Sequence, residues 1–438
     1  MYLSKFLLPT SKDVTSEAKL VSHQLMLKSG MIKQVSSGIY SWLPLGVRVL
    51  SKIESVIRAE LDVIYGQEIV LPSLQPLTLW EKSGRAVEES DMKSQIFHLV
   101  DHKESKYVLP PSGEEVITDL FNNSVQSYKE MGKILYQITW KFRDEIRPRH
   151  GVMRAKEFLM KDAYSFDTSR DMALESYERV FRAYLNIFKR MDLTVVPVLA
   201  PTGAMGGNYS HEFHILSPNG ESTIYYQTEL LDYLKQNDFT LQNFEKFYAK
   251  EEEKHIPESY DSLNVVQSKS IEVGHLFYLG QKYSKALGCI YQANDGGNHF
   301  PEMGCYGIGI SRLVAAVIES SNDSKGIIWP SAISPFDLVI INLKPDDAVC
   351  DTLAKELYTQ LSSLYEVLCD DTYNSAGRKF ADMDLVGITW QVIIGPKLAT
   401  ERKFELKNRK TSAIEVLDLA QIHEVAQHIK SYKTNSSK

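Results

Sequence analysis

Apolar residues recur at helical spacing in "PLGVRVLSKIESVIRAELDVI", residues 44–64, where Leu50, Ile53, Ile57, Leu61 and Ile64 form one stripe behind Pro44. That stripe, with a proline in the first turn, predicts an amphipathic helix. The chain then passes Gly66 into "EIVLPSL", a strand-like piece whose Pro72 belongs at a strand end or an edge. From residue 136 the period changes to two. Tyr136, Ile138, Trp140 and Phe142 alternate with Gln137, Thr139, Lys141, Arg143 and Glu145, which predicts a strand with one wet face. Beyond the turn "IRPRHGVM" the alternation resumes and places Arg154, Lys156, Phe158, Met160, Asp162, Tyr164 and Phe166 on one face. Two antiparallel strands joined by a long basic loop follow from the pattern.

Further along, residues 172–192 read as a helix and "LTVVPVLA" as a strand. Residues 231–270 turn acidic, polar and poor in glycine, which predicts a small insertion or a surface helix pair. "MGCYGIGISRLVAAVIES", 303–320, opens with glycines suited to close backbone approach and becomes an apolar helix with Arg312 in its first turn. Residues 326–335 carry two prolines and read as a linker. After it, strand-like and helix-like runs alternate, which predicts a small α/β domain of about 100 residues.

A chain of 438 residues suits two or three domains, and its net charge of −7 gives no global sign of a polyanion-binding protein. Local clusters must carry any such role. "KFRDEIRPRHGVMRAKEF", 141–158, holds seven basic residues around its turn. A solvated surface turn is the ordinary reading of such a stretch. Against it, Arg143 and Glu145 lie two apart on one strand face, where they suit a phosphate oxygen and an exocyclic amine. Phe158 on the facing strand suits a stacked base. The glycines at 304–309 lack the spacing and the later acid of a dinucleotide fingerprint. "HEFH" at 211–214 offers two histidines, but no further ligands cluster with it, and no protein metal site is assigned. Four scattered cysteines without ligand spacing suit a reducing compartment. The opening "MYLSKFLLPTSKD" is too short an apolar run for a signal peptide or a spanning helix, so a cytoplasmic location without membrane association is expected.

These stretches resemble a known family. "FRDE" followed by "RAKEF" looks like motif 2 of the class II aminoacyl-tRNA synthetases, "GIGISR" like motif 3, and the 44–72 helix and strand ending in Pro72 like motif 1. Within that class "GIYSWLPLGVRVL", "EEVITDL", "GGNYSHEF", "EVGHLFYLGQKYS" and "MGCYGIGISR" resemble the prolyl-tRNA synthetase family, nearly end to end. The resemblance implies an α+β fold: an antiparallel catalytic sheet flanked by helices, and a C-terminal α/β anticodon-binding domain. It divides the chain into 1–230 and 271–330 for the catalytic domain, 231–270 for the small acidic insertion and 331–438 for the anticodon-binding domain.

It also implies activation of L-proline with ATP and Mg2+ and transfer of prolyl to tRNA(Pro), by a homodimer. Arg143 would contact the α-phosphate and the proline, Glu145 the adenine amine, Phe158 the adenine face, and Arg154 and Arg312 the β- and γ-phosphates. Gly307 and Gly309 would form the floor, with Glu272 and His275 near the adenylate. Ser112 and Glu114 stand where the family has a T-x-E loop for the proline amine; Met160, Asp162, Tyr164 and Phe277 would line the ring pocket. Arg378 and Lys379 would meet tRNA, helped by the basic run 397–410. Long bacterial members carry a large editing domain between motifs 2 and 3 that removes mischarged alanine, and the short 231–270 stretch leaves no room for one. Two other readings keep the fold: a non-acylating tRNA-binding paralogue, and a ligase that adenylates an amino acid for another acceptor.

Overall fold

The computed structural model describes residues 1–13, 18–87, 90, 93–236, 239–257 and 264–435. Helix α1 (Pro44–Val63) turns Leu50, Ile53, Ile57 and Leu61 inward, all of them buried. Each such side chain contributes on the order of 2 kcal/mol by leaving water. The strand expected after it is short: β1 (Gly66–Glu68) ends before Ile69, and Pro72 lies outside it. Helix α2 (Glu114–Ser124) precedes the long pair β2 (Lys133–Phe142) and β3 (Glu157–Asp167). Helix α3 (Arg170–Arg190) then crosses to β4 (Val195–Leu199), β5 (Tyr209–Leu216), β6 (Ser222–Gln227), β7 (Ala249–Glu251), β8 (Val265–Gly280) and β9 (Glu302–Gly309). Helix α4 (Ile310–Ser320) follows β9 directly.

Among the described residues these nine strands form one sheet in the order β5-β4-β7-β6-β8-β9-β3-β2-β1, and β5 also pairs with β8. The pairs β1–β2 and β4–β7 are parallel, and the others are antiparallel. One face is closed by α1, α3 and α4, whose Ile53, Tyr177, Phe181, Tyr184, Val314 and Val317 share a core with Phe213, Leu276 and Ile308 of the strands. The other face carries the cavity described below.

Two expectations change. The polar face of β2 is not wet: Gln137 and Lys141 are buried, and the strand ends at Phe142, so Arg143 and Glu145 sit in the loop beyond it. Polar alternation marks a face here, but its Gln137 and Lys141 turn to Asp162, and Gln137 accepts from the Leu71 amide. The stretch 231–270 does more than decorate the surface. It supplies β7 and the start of β8, and Phe239 stacks on Phe181 at 5.0 Å between ring centroids. Phe244 lies 5.4 Å from the same ring. Its charge concealed a series of aromatics that bury.

The stretch 326–335 is a packed joint. Ile327, Trp329 and Ile333 are buried, and Trp329 Nε1 donates to the carbonyl of Val386 at 2.8 Å. Beyond it come β10 (Leu338–Asn342), α5 (Ala348–Leu361), β11 (Val367–Asp370), α6 (Ala376–Val386), β12 (Trp390–Ile394), β13 (Lys403–Asn408) and β14 (Ile414–Asp418). They form a five-stranded sheet in the order β11-β10-β12-β13-β14 among the described residues. Asp347 caps α5 by accepting from the Val349 and Cys350 amides. Gly387 ends α6 with φ +84°, where a Cβ would stand 2.3 Å from the Ile327 carbonyl oxygen.

Candidate active site

The face of β3, β8 and β9 away from α3 carries a cavity of about 400 Å³, closed by Arg85, Ser112 and the segments 143–155 and 201–205. Ser112, Glu114, Arg143, Glu145, Arg154, Phe158, Met160, Asp162, Tyr164, Glu272, His275, Phe277, Gly307, Gly309 and Arg312 all line it. Chain period explains much of this. Residues 158, 160, 162 and 164 alternate along β3, while Glu272 lies in β8 opposite the first turn of α4.

At one end the site is cationic. Arg143 lies with its guanidinium carbon 5.0 Å from the centre of the Phe158 ring. Burial lowers its pKa, and the neighbouring Arg312 lowers it further, while Glu272 and Glu145 act against them. Arg312 donates from Nε to the Met153 carbonyl at 3.1 Å and from Nη1 to the Glu272 carboxylate at 2.8 Å. Burial opposes charge on Glu272, but Arg312 and His275 together hold its carboxyl well below the usual range. Arg154 pairs with Glu145 at 2.9 Å. Two guanidinium groups converging at partial burial fit an anion with several oxygens, since each gains most from a charged acceptor.

At the other end the site is a narrow polar box. Tyr164 accepts from the Gly113 amide at 2.9 Å and donates to Asp162 at 2.7 Å. Asp162 also receives Gln137 at 2.9 Å and pairs with Lys141 at 2.9 Å. Glu114, fully buried, receives Cys305 Sγ at 3.0 Å and Arg85 Nη1 at 2.7 Å. At Gly307 a Cβ would meet only the flexible tip of Met160, Cε at 2.7 Å, so the glycine leaves room for that side chain. At Gly309 the nearest atom would be Arg312 Cβ at an ordinary 3.4 Å. His275 stacks on Phe277 with centroids 3.8 Å apart.

The histidines of "HEFH" part company. Strand alternation sends His211 into the core, where burial pushes its pKa down to about 3, with His275 adding to the effect, and where it meets Tyr177 at 2.9 Å. Glu212 faces the site instead and meets His214 at 2.8 Å. The loop tip is also engaged: Arg149 pairs with Glu221 at 3.2 Å, and His150, at φ +60°, pairs with the same carboxylate. Arg85 and Cys305 line the cavity and carry no sequence signal of their own. So does the 201–205 loop.

Arg378 and Lys379 lie in α6, away from this cavity, and Lys379 needs correction as a tRNA contact. It is 1% exposed, donates to the Asn342 carbonyl at 2.7 Å and pairs with Asp370 at 3.2 Å. A side chain spent on two buried acceptors has no reach to a ligand. Arg378 is half-exposed and held by Asp382 at 2.6 Å and Thr10 at 2.8 Å. Lys379→Met is therefore expected to leave Asp370 buried and unpaired and to cost about 3–5 kcal/mol in urea unfolding. Unchanged stability with a raised KM for tRNA would return Lys379 to the surface role.

Comparison with known proteins agrees with this architecture. Residues 97–321 match the tRNA synthetase class II core domain (G, H, P, S and T), and residues 337–429 match the anticodon binding domain. A proline–tRNA ligase of Rickettsia bellii (strain OSU 85-389) is 46% identical over 421 residues, covering 96% of this chain and 97% of that protein. A second, from Wolbachia sp. subsp. Drosophila simulans (strain wRi), is 47% identical over 432 residues, with coverage of 98% and 99%. Among solved structures, the fold is similar to prolyl-tRNA synthetase from Cryptosporidium parvum complexed with halofuginone and AMPPNP. The TM-score is 0.75 at 16% identity, over 98% of this chain and 80% of that one. A complex of the same enzyme with L-proline and AMP gives 0.74, with 98% and 81% covered.

Proposed function

The chain belongs to the proline–tRNA ligases, ATP-dependent aminoacyl-tRNA ligases of class II, and from that premise we propose how its cavity divides the work. The observation that carries the proposal is the polarity of the cavity, with paired guanidinium groups at one end and a buried carboxylate at the other. ATP lies at the cationic end. Phe158 stacks on the adenine, Glu145 accepts from its amine, Arg143 holds the α-phosphate, and Arg154 and Arg312 hold the β- and γ-phosphates. Proline lies at the other end, its ammonium against Glu114 and Ser112 and its ring among Met160, Asp162, Tyr164 and Phe277.

In this arrangement a proline carboxylate oxygen attacks the α-phosphorus in line, the α–β bond breaks, and pyrophosphate leaves. Arg143 touches both the carboxylate and the α-phosphate, so it supplies alignment and charge stabilisation together. The 3′-terminal hydroxyl of tRNA(Pro) then attacks the prolyl carbonyl and AMP leaves. Side chains act here by position and charge, and none forms a covalent intermediate. Glu212, Glu272 and His275 bring ligand atoms within 4.8 Å of one another, a mainly carboxylate set that suits Mg2+. The ion, when bound, neutralises phosphate charge. The exposed basic residue Arg147 and its neighbours Arg149 and His150 at the loop tip are placed for the tRNA acceptor end. In the basic run 397–410 the exposed Lys397, Arg402 and Lys410 serve the tRNA backbone, whereas Arg409 is buried on Asp323 and takes no part.

A homodimer forms along α1 and its exit, where Val63, Tyr65 and Val70 are large, apolar and exposed. The buried free thiols Cys289, Cys305, Cys350 and Cys369 suit the reducing cytoplasm. The short stretch between β6 and β8 argues against a separate editing site there. Each carbon that the smaller alanine lacks is worth only roughly 10–200-fold in pocket fit. On the purified chain, sedimentation should give the mass of two copies, proline should support ATP–pyrophosphate exchange and tRNA(Pro) charging, and alanyl-tRNA(Pro) should form and persist. Exchange without charging would move the site to another acceptor. Hydrolysis of alanyl-tRNA(Pro) well above its spontaneous rate would overturn the absence of editing.

A further inference from the structure

Resting on the assignment of Glu114 to the proline ammonium, we propose that Arg85 is a positioning and specificity-determining residue. Its buried guanidinium fixes the carboxylate and hydroxyl that receive the substrate amine. Arg85 follows the short helix Leu77–Lys82, and it is 2% exposed while lining the cavity. From Nη2 it donates to Ser112 Oγ at 2.6 Å, and from Nη1 to Glu114 Oε2 at 2.7 Å and Glu115 Oε2 at 3.1 Å. The guanidinium carbon lies 4.7 Å from the Trp80 ring centre and 5.9 Å from that of Tyr283. Ser83 fixes Glu115 at 2.7 Å from its Oγ.

The geometry gives one cation to two buried carboxylates, and the protein treats the two differently. Burial pushes the Glu114 carboxyl up, but Arg85, with Ser112 and Cys305, brings it below its ordinary value. Glu115 shares the cation, yet burial and the charge on Glu114 leave its carboxyl raised. Of the two, Glu114 is the one on the cavity wall, and it is the one whose carboxyl Arg85 holds below its ordinary value. A lysine could supply the charge but not the fork that reaches Ser112, Glu114 and Glu115 at once. An ionised carboxylate only accepts hydrogen bonds, so it demands a donor nitrogen and opposes an analogue with an ether oxygen in that place.

The test measures KM for proline and for ATP in pyrophosphate exchange, and competitive inhibition by tetrahydrofuran-2-carboxylate, which lacks the amine. Arg85→Gln is expected to raise the proline KM at least about 30-fold and leave the ATP KM within about threefold. It should also narrow the preference for proline over the analogue by about tenfold or more, toward a site that no longer demands N–H. Arg85→Lys keeps a cation in the cluster and therefore the fold. It should raise the proline KM by about fivefold to twentyfold, with the same narrowing. A proline KM within threefold of the parent in the lysine and glutamine variants, an ATP KM rising in step, or an unchanged preference would overturn the proposal. Glu114→Gln separates the premise from the inference. A normal proline KM there removes both, whereas a damaged Glu114→Gln beside normal Arg85 variants removes Arg85 alone.

Discussion

Arg143→Ala is expected to lower proline-dependent ATP–pyrophosphate exchange by about 10³- to 10⁴-fold while the protein still folds. Removing one preorganised donor from developing charge costs about 10²–10³ in rate, and loss of alignment between two reactants adds to it. Both apply in the proposed arrangement, where this side chain would face the carboxylate and the α-phosphate alike. Stability should survive for a structural reason. Arg143 lies in the loop beyond β2, its Nε has no hydrogen-bond partner among the described residues, and burial and Arg312 both act against its charge. The fold gains little from a cation placed there. Its ring neighbour Phe158, at 5.0 Å, keeps its seat in β3 without it. Arg143→Lys should recover only a small part of the rate, because a point charge cannot replace the planar fork. Exchange at the parent rate in Arg143→Ala, measured at saturating ATP and proline, would take the residue out of its role.

How far these residues were legible depends on whether their partners are near in sequence. The alternation in β2 and β3 was readable because a period of two needs only neighbours, and the same period separates Glu212 from His211, but which face of β2 meets water was not, since Gln137 and Lys141 are buried. Lys379 was misread from its charge, although the period held the answer. Lys379, Met383 and Val386 fall at i, i+4 and i+7 on the buried stripe of α6. A charged residue on such a stripe needs a buried partner, and Asp370 provides it. The 231–270 stretch was misread in the same way, with Phe239, Phe244 and Tyr248 outweighed by the acids around them. Arg85 differs from these cases. Its partners lie 27 to 30 residues further on, and no local pattern joins "SGR" to "PSGEE" before the chain folds.

The second large effect is expected at Arg312, with a different signature. Its place is set by the junction of β9 and α4, where Ser311 Oγ accepts from the Leu159 amide at 2.8 Å and fixes the first helical turn. From there Arg312 reaches Met153 and Glu272, so it is held ready before ATP arrives. Arg312→Ala should raise the ATP KM by about 10- to 50-fold and lower kcat by about 10²-fold, because phosphate oxygens are held in the ground state and carry more charge as pyrophosphate leaves. The proline KM should stay within about threefold, since the amino-acid end has its own cation in Arg85. The pair with Glu272 is about one-third exposed on each side, so its loss costs at most about 1 kcal/mol of stability. That loss has a pH signature. Arg312 helps to hold the Glu272 carboxyl below its ordinary value, so the stability it contributes is present above the ordinary glutamate range of about 4.3 and fades as pH falls below it. Parent and variant should therefore differ in urea unfolding at pH 7 and converge only as the pH falls well below the ordinary carboxylate range, while the defect in exchange persists wherever the parent is active. A proline KM raised as much as the ATP KM would show that Arg312 supports the whole cavity and would end its assignment to the phosphates.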